Sequence, residues 1–490
     1  METKNSFSFP RPVTQCLKML SNSNAKPYIV GGAVRDILLG KTPNDYDIAS
    51  DFTPIEVLRV CNQNHIPVVD NLGNNFGVVV AVFEDTPIEI ATFRSEEYSA
   101  EDAHRPSSVY FTKSLKKDLA RRDFTINAMA MDINGKIFDP FHGQEDLENK
   151  IITPVGKAKD RYQEDPLRMF RACRFVSQLG FNYYENNQKS DYIIKPNYWK
   201  ETKADKLSME RIRKEMEKTL LSKKPSAGLR LMMNSRLFDC PCVVNKTQII
   251  RPLQPLTHLY KLSQNPKYHK YDAWEHILHS VDFVPADLKL RYAMLFHDVA
   301  KGYGDIRGYH DDGTPHDHGH ETKSAEIVTN TLTQLGYSKK FIKEVNWLVL
   351  QHMQGFMLEE ATDKTKKHWL RRKAKECYDQ KDLLQRLKDL KEVFCADAYA
   401  TNENMKRVEN IQTMMDSLSD TAQKQMVVHS HDLAINGRIV FEMLKDTDLN
   451  IKDVYASLIK KVQDGVIPNK EEFLLKSLNK QIESTKEMTL

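Results

Sequence analysis

Two carboxylates stand two residues apart near the front of the chain. The stretch IVGGAVRDILLGKTPNDYDIASD contains Asp45 and Asp47 in a segment that otherwise has the composition of a strand. Alternate residues of a strand point to the same side, so both carboxylates would repel each other unless a cation lies between them. Carboxylate oxygens suit Mg²⁺, which usually combines one or two carboxylates with substrate phosphates. Two such ions can clamp the attacking and leaving oxygens of a phosphoryl displacement.

Gly31 and Gly32 precede this pair and begin a short helix predicted over AVRDILLG. Glycines let backbone N–H groups approach a phosphate, and a helix N-terminus favours an anion. A tight strand-to-helix turn is the better explanation of two glycines alone, but the carboxylates downstream favour a phosphate site. Glu89, in PIEIATFR on a later strand, is a candidate third carboxylate and, equally, an outward-facing residue of an alternating strand.

The histidines of the second half of the chain gather in a few segments: WEHILHS, LFHDVAK, YHDDGTPHDHGHE and LVLQHM. Neutral imidazoles combined with carboxylates form sites for transition metals. A lone histidine on an apolar helix is usually only packed there, but the His-Asp pair in the predicted helix YAMLFHDVAKG needs a partner. The metal ligands predicted from these segments and from FCADAYA are His276, His297, Asp298, His320, His352 and Asp397, of which His320 and His352 either line the site or hold a second ion.

The composition limits the setting of these sites. The chain has 490 residues, 40% hydrophobic and 28% charged, which indicates a soluble globular protein too long for a single core and predicts two to four domains. A formal net charge of +4 permits a nucleic-acid partner without requiring one. The seven cysteines lack paired CxxC spacing and no signal peptide is present, which predicts reduced thiols and a cytoplasmic location. No apolar run is long enough to span a membrane.

The elements that must position the sites change in character near residue 150. Before it, YIVGG, FGVVVAVF and IEIATF read as strands, the last two joined by a turn at EDTP. After it, RYQEDPLRMFRACRFVSQLG has apolar residues at helical spacing and ends at a glycine, and SMERIRKEMEKTLLS is a second helix. The chain is therefore predicted to be α+β at the front and all-α behind.

Several motifs carry a family resemblance over about residues 27–240. GGAVRD followed by NDYDIAS resembles the head signature of the class II nucleotidyltransferases, and the likeness continues through IEIATFRSEEY, HRPSSVYF, DLARRDFTINAMAMD, FDPFHGQEDL and EDPLRMFRACRFVSQLGF. The family comprises CCA-adding enzymes and bacterial poly(A) polymerases. The resemblance implies a palm with two Mg²⁺ ions on Asp45 and Asp47, and transfer of a nucleotide to an RNA 3′ end with release of pyrophosphate. The nucleotide-binding residues that it implies are Gly31, Gly32, Arg35, Arg122, Asp123, Asn127, Asp165, Arg168, Arg171 and Arg174.

The EDPLR motif suggests how bases are chosen. If the segment is helical, Asp165 and Arg168 share a face, and an ordinary ion pair is the common outcome of such spacing. CTP and ATP both present an exocyclic amine beside an unprotonated ring nitrogen, which a carboxylate and a guanidinium can bind. UTP and GTP present a carbonyl and a ring N–H there, so both protein groups would be left unpaired. The family resemblance implies this role for Asp165 and Arg168, with Glu164 orienting Arg168.

The histidine-rich half resembles the HD superfamily of metal-dependent phosphohydrolases, with the HDxxK pattern ending at Lys301. This resemblance implies a divalent transition metal and hydrolysis of phosphate esters, with Lys301 steadying a substrate phosphate. His316 is a weaker ligand candidate than His320, and His310 and His318 are predicted to be exposed. The basic stretch KTKKHWLRRKAKE reads equally as an RNA phosphate contact and as a solvated charged face.

These observations combine into one prediction: a CCA-adding nucleotidyltransferase that binds tRNA, CTP and ATP, with an HD domain behind it. The predicted domains are a palm at 1–150, a helical neck and body at 151–265, an all-α HD domain at 266–400 and a helical tail at 401–490. A poly(A) polymerase of the same class, or an enzyme adding only part of CCA, is the alternative. The hypothesis from a different functional class is an RNA-binding protein with an inactive palm, or a protein that acts only as an HD hydrolase.

Overall fold

The computed structural model describes residues 8–69, 77–97, 108–185, 188–193, 195, 198–202, 204–245 and 247–489. The first four residues of the HRPSSVYF motif lie outside these ranges. The chain divides into two compact units, Met1–Thr257 with Gln334–Gly336, and His258–Thr333 with Tyr337–Leu490.

A mixed sheet forms the front of the first unit, in the strand order β3-β4-β2-β1-β7-β8. The strands of this region, with the separate hairpin β5–β6, are β1 (Tyr28–Val30), β2 (Asp47–Ser50), β3 (Val78–Phe83), β4 (Thr86–Thr92), β5 (Arg94–Glu97), β6 (Ser108–Phe111), β7 (Ala130–Met131) and β8 (Ile137–Phe138). The β2–β4 pair is parallel and the other neighbours in the sheet are antiparallel. The predicted strand pair is confirmed, and its turn is the two residues Glu84 and Asp85, both at positive φ.

Helices pack beside this sheet and connect its strands. They are α1 (Arg11–Asn22), α2 (Gly32–Leu38), α3 (Pro54–Gln63), α4 (Leu115–Ala120) and α5 (Gly143–Glu148). Helix α2 begins directly after β1, as predicted from the two glycines. The α3 helix starts with a capping box, in which the Thr53 side chain accepts from the Glu56 N–H and the Glu56 carboxylate accepts from the Thr53 N–H.

The rest of the first unit is mainly helical, with short strands between the helices. Its elements are β9 (Ile151–Ile152), α6 (Ala158–Glu164), α7 (Leu167–Leu179), β10 (Asn182–Glu185), β11 (Gln188–Lys189), α8 (Met209–Leu220), α9 (Pro225–Asn234), β12 (Cys242–Val244) and β13 (Gln248–Ile250). Helices α7 and α9 approach closely at Gly228, where an added Cβ would lie 2.3 Å from the Cys173 carbonyl oxygen.

The segment RYQEDPLRMFRACRFVSQLG is two helices and not one. Helix α6 ends at Glu164, and Asp165 adopts an extended conformation with φ −141° and ψ 100°. Pro166 enforces this break because proline disfavours the helical region for the residue before it. The second helix, α7, ends at Gly180 in the left-handed region, as the glycine predicts.

The second unit is helical apart from one hairpin. Its elements are α10 (Ala273–Phe283), α11 (Leu288–Phe296), β14 (Arg307–Tyr309), β15 (Pro315–Asp317), α12 (His320–Gln334), α13 (Lys339–Gln351), α14 (Gln354–Glu359), α15 (Asp363–Lys375), α16 (Gln380–Asn402), α17 (Met405–Gln425), α18 (Gly437–Leu444), α19 (Ile451–Gln463) and α20 (Glu471–Thr489). Helices α18–α20 pack around a hydrophobic cluster that includes Val440, Leu458 and Leu474.

The predicted fold class, an α+β front followed by helical regions, is confirmed, with small hairpins added behind the main sheet. All seven cysteines are free of disulfides, as predicted, and all are also buried. Among the described residues, none of the helices combines the length and apolar character that a membrane crossing requires.

Candidate active site and candidate metal centre

Three carboxylates meet at one edge of the main sheet. Asp47 is the first residue of β2, and the parallel register of β2 with β4 pairs Ile48 with Ile90, which places Asp47 beside Glu89. Asp45 lies in the loop before β2, so the prediction that both aspartates belong to one strand is wrong for Asp45. Partial desolvation by the surrounding protein, followed by the nearby charges of Asp45 and Glu89, raises the pKa of Asp47, and the charge of Arg122 opposes this rise.

These three carboxylates are exposed and are not preassembled. Their oxygens do not belong to either of the groups of potential metal ligands that lie within 4.8 Å of one another in the described chain. The crowding of negative charge shown by the Asp47 pKa is nevertheless an arrangement that a divalent cation would relieve.

The two predicted glycines shape the entry to α2. Gly31 has φ +73°, a conformation that glycine adopts without strain. A Cβ at this position would lie 2.9 Å from Nη1 of Arg122. The backbone conformation favours glycine here, and the missing side chain lets the Arg122 guanidinium approach the turn.

A cavity of about 420 Å³ opens beside this turn. Its lining contains seven arginines and only three aspartates, so its formal charge is strongly positive. The lining residues are Gly31, Gly32, Arg35, Asp47, Arg94, Arg121, Arg122, Asp123, Asn127, Asp165, Arg168, Arg171, Phe175 and Arg211. Nine of the ten residues that the family resemblance predicted to bind a nucleotide thus line one cavity together with Asp47, and only Arg174 of the predicted set is outside it.

A continuous hydrogen-bond network orders the floor of the cavity. Arg35 donates to the Asn127 side-chain oxygen at 2.8 Å, and the Asn127 amide donates to Asp123 at 3.2 Å. Arg171 donates through Nε to Asp123 at 2.7 Å. Burial alone would raise the pKa of Asp123, but the Arg171 charge outweighs it and the pKa is lowered. The network holds two guanidinium groups at fixed positions in the lining.

The Arg121–Arg122 pair is anchored by a carboxylate of the preceding helix, α4. Both guanidinium groups form ion pairs with the buried Asp118, at 2.9 Å and 3.3 Å, respectively. Asp123, the residue that follows the pair, is instead engaged with Arg171. Asp118 therefore sets the positions of two adjacent cations on the cavity wall.

Asp165 and Arg168 do not form the simple ion pair that their spacing allows. The Asp165 carboxylate accepts from the Leu167 N–H at 3.1 Å and from Nη2 of Arg211 at 2.9 Å. Arg168 donates to Glu164 at 2.8 Å and to the Arg121 carbonyl at 2.7 Å. Glu164 thus contacts Arg168, as expected from its predicted role. The shared-face argument fails because Asp165 lies at the helix break.

Arg211 is a cavity residue that the sequence analysis missed. It lies on the predicted helix SMERIRKEMEKTLLS, which is α8, and its only signal was its place in a strongly charged helix. Arg174 instead pairs with Glu215, also on α8, and its guanidinium carbon lies 4.0 Å from the Phe175 ring centroid. Helix α8 therefore supplies partners to both EDPLR and the α7 helix that follows it.

The second predicted site is assembled at the ends of several helices of the second unit. All six predicted ligands are buried. Two groups of ligand atoms lie within 4.8 Å of one another: His276 with His297 and Asp298, and Asp298 with His320 and His352. Asp298 belongs to both groups. Asp397 joins the first group, with its Oδ1 3.1 Å from Nε2 of His276.

The sequence analysis placed the His-Asp pair inside a helix. In the structure the pair lies just beyond the end of that helix. Helix α11 ends at Phe296, His297 is its C-cap, and Asp298 lies in the turn that follows. His352 is likewise the C-cap of α13. Side chains at helix ends can converge from several directions, which explains how residues far apart in sequence reach one point.

The histidine tautomers identify the chemistry of this cluster. The Nδ1 atoms of His320 and His352 lie 2.7 Å and 2.6 Å from backbone carbonyls, which only accept, so both Nδ1 atoms carry protons. A neutral imidazole with a protonated Nδ1 has a bare Nε2, yet the two Nε2 atoms are 3.1 Å apart. Two lone pairs that face each other require a proton or a cation between them. The donor set therefore fits a metal ion.

In the other pair, a hydrogen bond fixes the tautomer of His297 alone. The His297 Nδ1 lies 2.8 Å from the Met294 carbonyl, and its Nε2 is 3.0 Å from Nε2 of His276. Burial would lower the pKa of His297, but the charges of Asp298 and Asp397 outweigh it and raise the pKa to about 10. The carboxylates thus draw a positive charge to this point, either a proton or a metal ion.

Lys301 and a further histidine complete the surroundings. Nζ of Lys301 lies 2.6 Å from Asp298 and donates to the Gln264 side chain at 2.8 Å. His269, which the sequence analysis did not single out, stands edge-on to His276 with 5.3 Å between ring centroids. Burial first, and then the Lys301 charge, lowers the pKa of His269 to about 3, so this imidazole is neutral.

A cavity of about 500 Å³ opens onto the cluster. His310, His316 and His318 lie on or beside the β14–β15 hairpin and line this cavity, with ring centroids of successive members 4.8 Å and 4.3 Å apart. His310 and His318 are exposed, as predicted, and none of the three belongs to a compact group of ligand atoms among the described residues.

Comparison with known families agrees with this arrangement. Residues 27–153 match the family described as Poly A polymerase head domain, and residues 204–240 match the probable RNA and SrmB-binding site of polymerase A. Residues 273–402 match the HD domain. The chain carries a poly(A) polymerase-type head followed by an HD domain. The resemblance predicted from the motifs is confirmed.

Individual relatives agree with the family matches. The chain is 42% identical over 237 residues to a CCA-adding enzyme of Geobacillus kaustophilus, an alignment that covers 48% of this chain and 55% of that protein. The chain thus spans about half the length of the curated relatives it matches. The crystal structure of Bacillus stearothermophilus CCA-adding enzyme in complex with CTP has a TM-score of 0.63 at 24% identity, covering 98% of this chain and 99% of that one. This likeness shows a shared fold.

Proposed function

We propose that the chain adds CCA to the 3′ end of tRNA, using CTP and ATP without a nucleic-acid template. The observation that carries the proposal is a single cavity that combines Asp47, an excess of arginines and the two polar side chains of the EDPLR motif, Asp165 and Arg168. The similarity to a CCA-adding enzyme of Geobacillus kaustophilus supports the same assignment.

In this proposal the carboxylate edge holds Mg²⁺ through Asp45 and Asp47, with Glu89 as a third carboxylate. When bound, the ion supplies Lewis-acid stabilisation of the phosphoryl group. The tRNA 3′ oxygen forms a bond to the α-phosphorus as the bond to pyrophosphate breaks. The arginines bind the phosphates, since a nucleoside triphosphate carries about four negative charges. Arg122 reaches Gly31 at the start of α2, where a phosphate would meet both the guanidinium and the helix N-terminus.

Asp165 and Arg168 read the base edge. A carboxylate has about four lone-pair sites, and two of those on Asp165 are occupied by Leu167 and Arg211. Arg168 donates three hydrogen bonds, one to Glu164 and two to backbone carbonyls. About two of its five N–H donors therefore remain for a ligand. The remaining acceptor and donor positions match the amine and the ring nitrogen that CTP and ATP share.

The direct test is nucleotide addition, one triphosphate at a time. We expect a tRNA that lacks its last three nucleotides to gain two C residues from CTP, and a tRNA ending in CC to gain a single A from ATP. Sequencing of the products distinguishes the alternatives. Repeated A addition would identify a poly(A) polymerase, and termination after CC with no A would identify a partial enzyme. Addition of none of the four nucleotides by the purified chain would refute the proposal.

We further propose that the second unit is a metal-dependent phosphohydrolase. The observation that supports it is the pair of facing Nε2 atoms on His320 and His352, whose protons are on Nδ1. His276, His297 and Asp397 would hold one ion, His320 and His352 a second, and Asp298 would bridge them. Imidazole and carboxylate together favour a transition metal over Mg²⁺ alone. Such ions, when bound, lower the pKa of a coordinated water.

The surrounding residues would bind the phosphate. Lys301 is held by Asp298 and Gln264 at the cavity wall, so its charge is fixed where a phosphate ester would approach the ligand cluster. An unwanted 2′, 3′ or cyclic phosphate at an RNA end would block nucleotide addition, and its hydrolysis would repair such ends. Phosphate esters and 2′,3′-cyclic phosphodiesters are therefore the proposed substrates.

The test combines metal analysis with hydrolysis. The double variant His297→Ala and Asp298→Ala should lose bound transition metal and hydrolysis, while CCA addition continues because no residue is shared with the first cavity. The matched control is His310→Ala with His318→Ala, which removes two exposed histidines of the same unit and should retain the metal. A wild-type protein without bound transition metal and without activity on these esters would refute the proposal.

A further inference from the structure

Arg407 is a cation on the wall of the second cavity that the sequence analysis did not single out. It is the third residue of α17 and lies beyond residues 273–402, which match the HD domain. The cavity of about 500 Å³ that it lines also contains Lys301 and two residues of the ligand cluster, Asp298 and Asp397. Two residues join α16 to α17, and Asp397 lies five residues before the end of α16, so both side chains belong to the same end of this helix pair.

Two neighbours on α14 hold the Arg407 guanidinium in place. Its Nε donates to both carboxylate oxygens of Glu359, at 3.1 Å and 3.0 Å. Its Cζ lies 4.3 Å from the centroid of the Phe356 ring, so this ring covers one face of the planar group. The side chain of Arg407 is 21% exposed. The Nε edge and one face of the guanidinium are therefore occupied by protein.

The other edge of the Arg407 guanidinium is open. Among the residues that the structure describes, none accepts a hydrogen bond from either Nη atom, which together carry most of its N–H donors. The planar fork of an arginine binds a phosphate through two parallel hydrogen bonds. Because Glu359 and Phe356 already fix the group, it would lose little rotamer freedom on binding an anion.

The lining of the cavity has a surplus of positive charge outside the ligand cluster. Its cations are Lys267, Lys301 and Arg407. The one carboxylate of the lining that is not a predicted ligand, Asp317, is paired with Arg307 at 2.7 Å. The cavity is also much larger than a single phosphate group. A substrate with a second anionic group would match both its size and its charge.

Arg386 shows what the same contacts mean elsewhere in the second unit. Its Nε donates to Asp382 at 3.1 Å, and its Cζ lies 4.8 Å from the Trp347 ring centroid. An ion pair combined with an aromatic contact can thus serve helix packing alone. Arg386 is not among the residues that line the cavity. The position of Arg407 in the cavity, and not its partners, therefore distinguishes the two arginines.

We propose that Arg407 binds a second, non-scissile phosphate, so that the site acts on ribonucleotides that carry both a 2′,3′-cyclic phosphate and a 5′ phosphate, as an RNA 3′ end does. The inference rests on the proposed phosphohydrolase function. Lys301, whose Nζ lies 2.6 Å from Asp298, serves the scissile phosphate at the ligand cluster. Hydrolysis adds one water across a P–O bond of the cyclic phosphate and leaves a monoester, while the 5′ phosphate on Arg407 stays unchanged.

The test compares two substrates that differ in one phosphate: adenosine 2′,3′-cyclic phosphate with and without a 5′ phosphate. For the full chain with its bound metal, we expect kcat/KM to be roughly tenfold to hundredfold higher with the 5′ phosphate, the range for a hydrogen bond to a charged group. The dinucleotide ApA that ends in a 2′,3′-cyclic phosphate should share this advantage, because its internucleotide linkage supplies the same phosphate.

Three variants separate the role of Arg407 from its packing. R407M should reduce the ratio of the two kcat/KM values to near 1 and retain the bound metal. R407K, which keeps the charge but not the fork, should give an intermediate ratio, and it decides the outcome if R407M fails to fold. R386M is the matched control and should keep the wild-type ratio. Circular dichroism melting verifies the fold of each variant.

A wild type that hydrolyses both substrates equally well, or an Arg407 variant that loses both activities to the same extent, would overturn the inference and leave the phosphohydrolase proposal standing. A wild type that hydrolyses neither substrate would refute the proposed activity. Calorimetry with adenosine 3′,5′-bisphosphate then decides the inference. The wild type should bind this compound roughly tenfold more tightly than R407M does, and equal affinities would overturn the inference. Both proteins contain the same first cavity, so the difference between them reports the second.

Discussion

Arg211 is predicted to act on base choice through Asp165. The two side chains are joined by one charged hydrogen bond of 2.9 Å and are 33% and 18% exposed, respectively. Arg211→Met keeps the length of the side chain and removes the charge, which frees the Asp165 carboxylate to rotate about its side-chain bonds. Helix α8 is held by its own packing, so we expect the fold to persist.

The magnitude follows from the partial exposure of the pair. Hydrogen bonds to charged groups contribute about 1.5–3 kcal/mol when buried, and exposed ion pairs contribute less than about 1 kcal/mol. A value of about 1.5 kcal/mol lies between these limits and corresponds to roughly a tenfold change in a rate ratio. We therefore expect the ratio of kcat/KM for CTP to that for UTP to fall by about tenfold, because a mobile carboxylate avoids the UTP carbonyl.

The assay is single-nucleotide addition to truncated tRNA, with kcat/KM measured for all four triphosphates. Lys214→Met is the matched control, since Lys214 is an exposed cation on the same helix. The double variant Arg211→Met with Asp165→Ala should be no less selective than Asp165→Ala alone. Additive losses of selectivity in the double variant would show that Arg211 does not act through Asp165, and the reasoning would fail.

Three further outcomes are expected. Asp47→Asn should abolish nucleotide addition while the dissociation constant for tRNA stays within about twofold of wild type, and unimpaired addition would place the active site elsewhere. Gly228→Ala should destabilise the fold by roughly 3 kcal/mol through overpacking in denaturant unfolding, because its Cβ would lie 2.3 Å from a carbonyl oxygen, whereas Gly304→Ala, with open space around it, should be nearly neutral. Asp123→Asn should lower the free energy of unfolding by about 2 kcal/mol at pH 7. This is less than the loss for a fully buried ion pair, because the partner, Arg171, is 36% exposed. The pKa of Asp123 is lowered in the folded state. Its contribution to stability is therefore fully present above the unfolded pKa of about 4 and is lost as the pH falls through the folded pKa. The free energies of unfolding of the wild type and of Asp123→Asn should thus converge in acid.

Local signals in the sequence were sufficient for the framework of both sites. Two β-rich apolar segments separated by the turn residues EDTP located β3 and β4, and the glycines before AVRDILLG located the start of α2. These features depend on backbone preferences within a few residues, which is why they can be read without the fold. The residue types of the metal site could also be predicted from the sequence. Imidazoles and carboxylates in apolar helices are costly to bury unless they are paired or bind a metal.

The tertiary structure decided which side chains pair. Asp165 is separated from Arg168 by the helix break at Pro166 and is held by Arg211, 46 residues away. No local periodicity contains that contact, since it depends on how α8 packs against α7. The ligand cluster likewise spans His276 to Asp397, and its sharing of Asp298 between two groups depends on where several helices end. Sequence determined the donor chemistry, and packing over long separations determined its geometry.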